Sequence, residues 1–218
     1  MKKILILSIV IILVLFYLLK QTPDDGKPIV GVYPWQIEEL GGGASRVFGI
    51  VLNETLLKEV DGLFRANPAV ALYESKEKLT LEAYYKNISL GGLIGSFIFT
   101  LDASPDELEK VKKESHKSER TDNNEIKYIL DKPASIKAKQ LRVKNLIYIP
   151  TVQLDEETIL KRFGEPSQKI KLKTKEEGWH YLYPEKGLDL IYKKEGKEVL
   201  QYVPPRDFNA LLEPLLSH

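Results

Sequence analysis

The hydrophobic period changes once, and sharply, within residues 154–203, and this change constrains the fold more than any other feature of the chain. Asp155 is a good N-cap residue, and Ile159, Leu160 and Phe163 recur at helical spacing on one face. Gly164 ends that run, with Pro166 two residues beyond it. From there the period is two. Ile170, Leu172 and Thr174 alternate with Lys169, Lys171, Lys173 and Lys175, and Trp179, Tyr181 and Tyr183 alternate with His180 and Leu182. A turn at 184–187, a strand at 188–192, a hairpin loop at 194–196 and a strand at 199–203 follow. A short amphipathic helix ahead of alternating strands joined by tight turns specifies a helix laid on an antiparallel sheet, an α+β arrangement.

The helix closing on Phe163-Gly164-Glu165-Pro166, the strand Trp179-His180-Tyr181 and the further apolar strand near a hairpin resemble the SmpA/OmlA domain family, to which BamE belongs. The resemblance covers about 50 residues and implies the α+β topology shared with the β-lactamase-inhibitor-protein fold, whose type member is a tandem repeat. It also implies a role in envelope assembly exerted by binding another protein.

The amino terminus supplies an address. Lys2 and Lys3 precede an apolar run, 4–19, interrupted only by Ser8 and Tyr17. At roughly 1.5 Å per residue this run spans about 24 Å, enough for a membrane helix if Lys3 and Lys20 extend toward the interfaces. A cleaved signal peptide is the competing reading, but it needs small residues at the cut, and the first Ala is Ala44. The sequence therefore predicts an uncleaved signal anchor over 1–20, with the amino terminus cytoplasmic by the positive-inside rule. The rest of the chain then lies across the inner membrane, in the periplasm of a Gram-negative cell.

Residues 21–43 read as a juxtamembrane linker whose later part, with Val32, Tyr33, Trp35 and Ile37, is too apolar for a solvated tether. It is expected either to pack on the domain as an edge strand or to bind a partner through Tyr33 and Trp35. A first α+β module is expected over 44–115. It comprises a strand at 47–52, an N-cap at Asn53 and a helix burying Leu56, Leu57, Val60 and Leu63. Strands follow at 70–73, at Leu79, Leu81, Ala83 and Tyr85, and at Phe97, Phe99 and Leu101. Ser104-Pro105-Asp106-Glu107 is a capping box with Pro at the first helical position, opening a helix to about Lys113.

A polar connector spans 116–143: 114–124 reads as an exposed loop, 126–130 as a strand, and 133–144 as a basic run. A second module is expected over 144–218. Sliding the chain by 100 residues lays Val60 on Leu160, Leu63 on Phe163, Leu79 on Trp179 and Leu81 on Tyr181, with the elements in the same order. The expected fold is thus a transmembrane helix followed by two repeats of helix plus antiparallel sheet.

Chemistry is not indicated. No nucleophile elbow, phosphate loop, zinc motif or dinucleotide glycine pattern occurs. His116, His180 and His218 lack ligand spacing, so neither metal nor cofactor is expected. The chain has no Cys, which removes disulfides, thiolate metal sites and a lipobox. A formal charge of +1 provides no field for nucleic acid. Lys169, Lys171, Lys173 and Lys175 read as a guard against edge pairing.

The segment Gly91, Gly92, Leu93, Ile94 and Gly95 makes a poor strand and a poor helix. It is expected either as a bend leading into the next strand or as an exposed apolar contact loop. The sequence thus points to a membrane-anchored, non-enzymatic interaction protein with an envelope partner. A periplasmic inhibitor or ligand-binding module is the alternative, and a cell-wall hydrolase stands further off.

Overall fold

The computed structural model describes residues 32–76, 78–174 and 176–216. The expected membrane segment (1–20) and the first part of the linker lie outside the described residues, as does His218. Among those described, no helix is long and apolar enough to cross a membrane.

The chain enters through Val32–Gln36 and forms a small three-stranded antiparallel sheet, β1 (Glu38–Leu40), β2 (Ala44–Val47) and β3 (Ile50–Val51). The single strand expected over 47–52 is therefore two, because the chain reverses at Phe48-Gly49, both at positive φ (54° and 77°). A bulky side chain in that region costs about 1–2 kcal/mol. Phe48 is nonetheless held there by burial, with ring centroids 5.0 Å from Phe97 and 5.1 Å from Tyr148.

Helix α1 (Leu57–Phe64) follows and buries Leu57, Val60 and Phe64. Its N-cap is Leu56, whose N–H donates to Glu59 Oε2 at 2.7 Å. Asn53, expected to cap it, sits instead at φ 67° with its side chain toward Asp207.

The strands β4 (Ala69–Glu74), β5 (Leu79–Leu90) and β6 (Leu93–Leu101) come next. Helix α2 (Pro105–Glu114) has the expected capping box on Ser104 and Glu107. The expected loop beyond it contains a fully exposed strand, β7 (Lys117–Arg120), paired with β8 (Ile126–Ile129). Helix α3 (Lys132–Ala138) lies within the basic run and ends beside Lys139, which pairs with Asp61 at 2.7 Å.

Strand β9 (Val143–Pro150) leads to α4 (Glu156–Phe163), where Asp155 accepts the Thr158 N–H at 2.6 Å and Gly164 takes the positive-φ C-cap position. Strands β10 (Gln168–Lys171), β11 (Gly178–Tyr183), β12 (Leu188–Lys193) and β13 (Val199–Tyr202) precede a last helix, α5 (Asn209–Leu216).

Ten of these strands join in one antiparallel sheet, ordered β10-β11-β12-β13-β9-β6-β5-β4-β8-β7. The two halves of the chain meet at β6 and β9, with Phe97 opposite Tyr148 and Ile98 opposite Ile147. Each half sets an eight-residue helix ahead of its strands, α1 before β4–β6 and α4 before β10–β13. They differ in the sheet itself: a long two-stranded hairpin in the first, three short strands after β10 in the second.

Alternation gives the sheet two faces. The first carries Leu81, Ala83, Tyr85, Phe97, Phe99, Leu146, Tyr148, Leu190, Leu200 and Tyr202 into one core with residues of α1, α4 and the small sheet. The second is covered at one corner, where Leu182, Val203 and Phe208 pack with Leu211, Leu212 and Leu215 of α5.

Candidate functional site

The segment from Gly91 to Gly95 is regular structure. Gly91 and Gly92, at φ 55° and 83°, are the two central residues of a hairpin turn between Leu90 and Leu93, where consecutive positive φ values suit the strand twist. Leu93 begins β6 half-buried, and Ile94 is 47 % exposed. Gly95 is buried in β6, where a Cβ would stand 2.2 Å from Tyr148 Cε2. Two of the three glycines serve the turn and the third a close approach, so the bend is what the structure contains.

Tyr33 and Trp35 lie on the entering segment, and both are half-buried. Their rings stack at 5.1 Å, Trp35 meets Phe163 edge-on at 6.3 Å, and the Arg162 guanidinium sits 4.8 Å from the Trp35 ring. Tyr202 donates its hydroxyl to the Pro34 carbonyl at 2.8 Å. The expected edge strand is thus confined to Glu38–Leu40, and Val32–Gln36 straps the core instead. The strap touches the hairpin turn: a Cβ at Gly91 would stand 2.9 Å from Val32 Cγ2 and 3.0 Å from Tyr33 Cε1. The two candidate stretches are therefore neighbours; Trp35 packs on the protein's own core, while Ile94 points to the opposite face of the sheet.

Sequence reasoning missed the second face of the sheet. One cross-strand row there runs Tyr84, Ile98, Ile147, Gln201, Asp189, Leu182. Beside it lie Ile94, Ile149, Val199 and Ile191, on the same face by alternation. Helix α5 covers the Leu182 end, while Ile98, Ile147, Ile149, Val199 and Ile191 remain half-buried and Tyr84 is 37 % exposed.

Against α5 the same face forms an open cleft of about 390 Å³. Its floor includes Thr80, Glu82, Thr100, Asn145 and Gln201, and α5 supplies Leu211 and Leu215. Glu82 accepts the Thr80 hydroxyl at 3.0 Å, and burial raises its carboxyl above the usual range. His180 turns Nδ1 to the buried Asp189 carboxylate at 2.9 Å, and Gln201 Nε2 approaches that carboxylate at 3.5 Å. His180 is therefore fixed by Asp189, which a polar strand position does not announce in sequence. His116 is exposed just before β7.

Neither a family model nor a curated protein nor a solved structure matches this chain.

Elsewhere, polar groups tie helices to the sheet. Tyr85 donates to Asp61 at 2.5 Å, and Tyr128 donates to Glu74, which also holds Lys112. Tyr181 donates to Glu156 while Lys169 stands 4.5 Å from the Tyr181 ring. The Lys112 hydrogen bond, then the Tyr128 bond, hold the Glu74 carboxyl below its usual range. Each of these groups has a structural partner. Among the described residues, no three His, Asp or Glu side chains are grouped as a metal would require.

Proposed function

We propose that this is a membrane-anchored interaction protein, held in the inner membrane by 1–20 with its domain in the periplasm, and that the second face of the sheet receives an envelope protein partner. The observation that carries the reading is the uncovered row of Tyr84, Ile98 and Ile147 with Ile149, Val199 and Ile191 beside it. Sheet faces exposed to solvent normally alternate to polar residues, and a contiguous apolar patch marks a contact surface. The SmpA/OmlA resemblance of 154–203 supports the same role, and the matching order of helix and strands supports an origin by tandem duplication.

Site-specific photocrosslinking in cells tests it. A crosslinker at Tyr84 or Ile98 should trap a discrete partner, whereas one at exposed Lys113 on α2 should not. Equal adducts at all three positions would overturn the assignment of the face.

The cleft favours a second reading, a ligand-binding module. Hydroxyl, amide and carboxyl groups of Thr100, Asn145, Gln201 and Glu82 converge on it across an apolar wall, an arrangement suited to a small polyhydroxylated molecule. Thermal stabilisation by soluble cell-wall saccharides, lost on Asn145→Ala, would favour it over the protein partner.

A further inference from the structure

We propose that the apolar pocket between α2 and α3 binds a small monocarboxylate, with a chain of about six to eight carbons inside it and the carboxylate on Lys137. Leu81, on its floor, belongs to the first face of the sheet, so the pocket lies across the sheet from the proposed partner face and is independent of that reading.

The pocket exists because small side chains meet where two helices cover the sheet. Ala103 precedes α2, Ala134 and Ala138 lie on α3, and with Leu81, Val111 and Leu141 they surround about 180 Å³. Native interiors leave few voids larger than one water, and this volume is the share of about six. Aliphatic walls give water nothing to hydrogen-bond, so hydrocarbon fills the space most favourably. An engineered apolar cavity of about 150 Å³ takes up benzene, which sets the size at about six to eight carbons. Sites for drug-sized ligands begin at about 300 Å³, so a larger molecule does not fit.

The mouth sets the charge. Glu107, Lys110, Glu114 and Lys137 ring it, and three of them are engaged. Glu107 accepts the Ser104 N–H and hydroxyl at 2.8 and 2.9 Å, while Lys110 faces Glu114 one helical turn on at 3.9 Å. Exposed Lys137 has no side-chain partner among the described residues. Its ammonium is the uncompensated charge, and a carboxylate would meet it with a charge-assisted hydrogen bond as the chain leaves water. A leucine or phenylalanine from a protein partner would fill the space but leave Lys137 without an anion.

Photoaffinity labelling tests the site. Octanoic acid carrying a diazirine is photolysed with full-length protein in nanodiscs, and the adducts are mapped by mass spectrometry. They should fall within 103–111 and 134–141. Octanoate should compete at about tenfold lower concentration than 1-octanol, the difference that one charge-assisted hydrogen bond makes. Lys137→Gln should erase that difference and leave competition by octanol unchanged. Ala134→Leu fills the pocket and should abolish the adducts without lowering the melting temperature; if that variant is destabilised, Val111→Phe fills the same space from α2. Adducts elsewhere, or adducts that survive in a filled and folded variant, would overturn the site. Equal competition by octanoate and octanol would overturn the carboxylate. An adduct yield that falls as protein concentration rises would make a second copy of the chain the occupant, and would overturn the ligand.

Discussion

Glu198 is wholly buried, and its two oxygens are treated unequally. Oε2 accepts the Leu154 N–H at 3.0 Å, while Oε1 has no partner among the described residues. Burial pushes this carboxyl above its usual range, and the bond from Leu154 only partly opposes that. Because the folded-state value exceeds the unfolded one, ionisation is disfavoured in the fold, and stability falls as pH rises from the unfolded value through the folded one. Glu198→Gln keeps an acceptor for Leu154 without the charge. The variant is expected to melt higher than the parent at neutral pH, with the gap closing on acidification; a lower melting temperature at neutral pH would refute this. At Gly95 the constraint is space. The Tyr148 ring and the Ile149 carbonyl would lie 2.2 and 2.8 Å from a Cβ, so Gly95→Ala is expected to cost about 1–3 kcal/mol as overpacking, read as a lowered denaturation midpoint. Exposed Gly41 has nothing within 4 Å of a Cβ, so Gly41→Ala is the matching control.

Among the elements, α4 was the most legible in sequence because three local signals agree on it: the Asp155 cap, the 3.6-residue period and the Gly164 stop. The alternating cores of β5, β6 and β11 were legible for the same reason. What was lost follows from physics that a linear pattern does not carry. The Gly91-Gly92 turn looked irregular because the requirement for two positive φ values leaves no mark except glycine itself. Strand β7 has no buried side and so no hydrophobic alternation to read. Helix α5 did have a signal, Phe208, Leu211, Leu212 and Leu215 at helical spacing, but Pro214 within it obscured the pattern. Leu182 alternates with the inward-facing Tyr181 and Tyr183, and it is buried all the same because α5 covers that corner. Burial also separates the expected effects of two aromatic truncations. Phe163, 2 % exposed, should cost about 3–5 kcal/mol on replacement by Ala. Trp179 is half-buried and stacks on Tyr192 at 6.4 Å, so Trp179→Ala should cost clearly less. Chemical denaturation of the two variants checks the order, and a larger loss at Trp179 would contradict the packing described.

At the scale of the molecule, the halves share a sheet as well as a chain. The described residues form one compact unit, and β9 lies between β6 of the first half and β13 of the second. Removing either half would strip β9 or β6 of its ladder partner and expose Tyr148 or Phe97, which lie with ring centroids 4.8 Å apart. The strap reinforces this coupling, since Trp35 from the entering segment packs on Phe163 of α4. Both tryptophans therefore report on the C-terminal half, Trp35 through α4 and Trp179 from β11. Far-UV circular dichroism reports on helices and strands throughout the chain. If the shared sheet makes folding all-or-none, urea unfolding followed by fluorescence and by circular dichroism should give coincident midpoints, and Phe163→Ala should shift both curves equally. If the halves instead unfold as independent repeats, the fluorescence transition of Phe163→Ala would move to lower urea while circular dichroism retained a second transition near the parental midpoint. The β6–β9 ladder and the strap predict the first result.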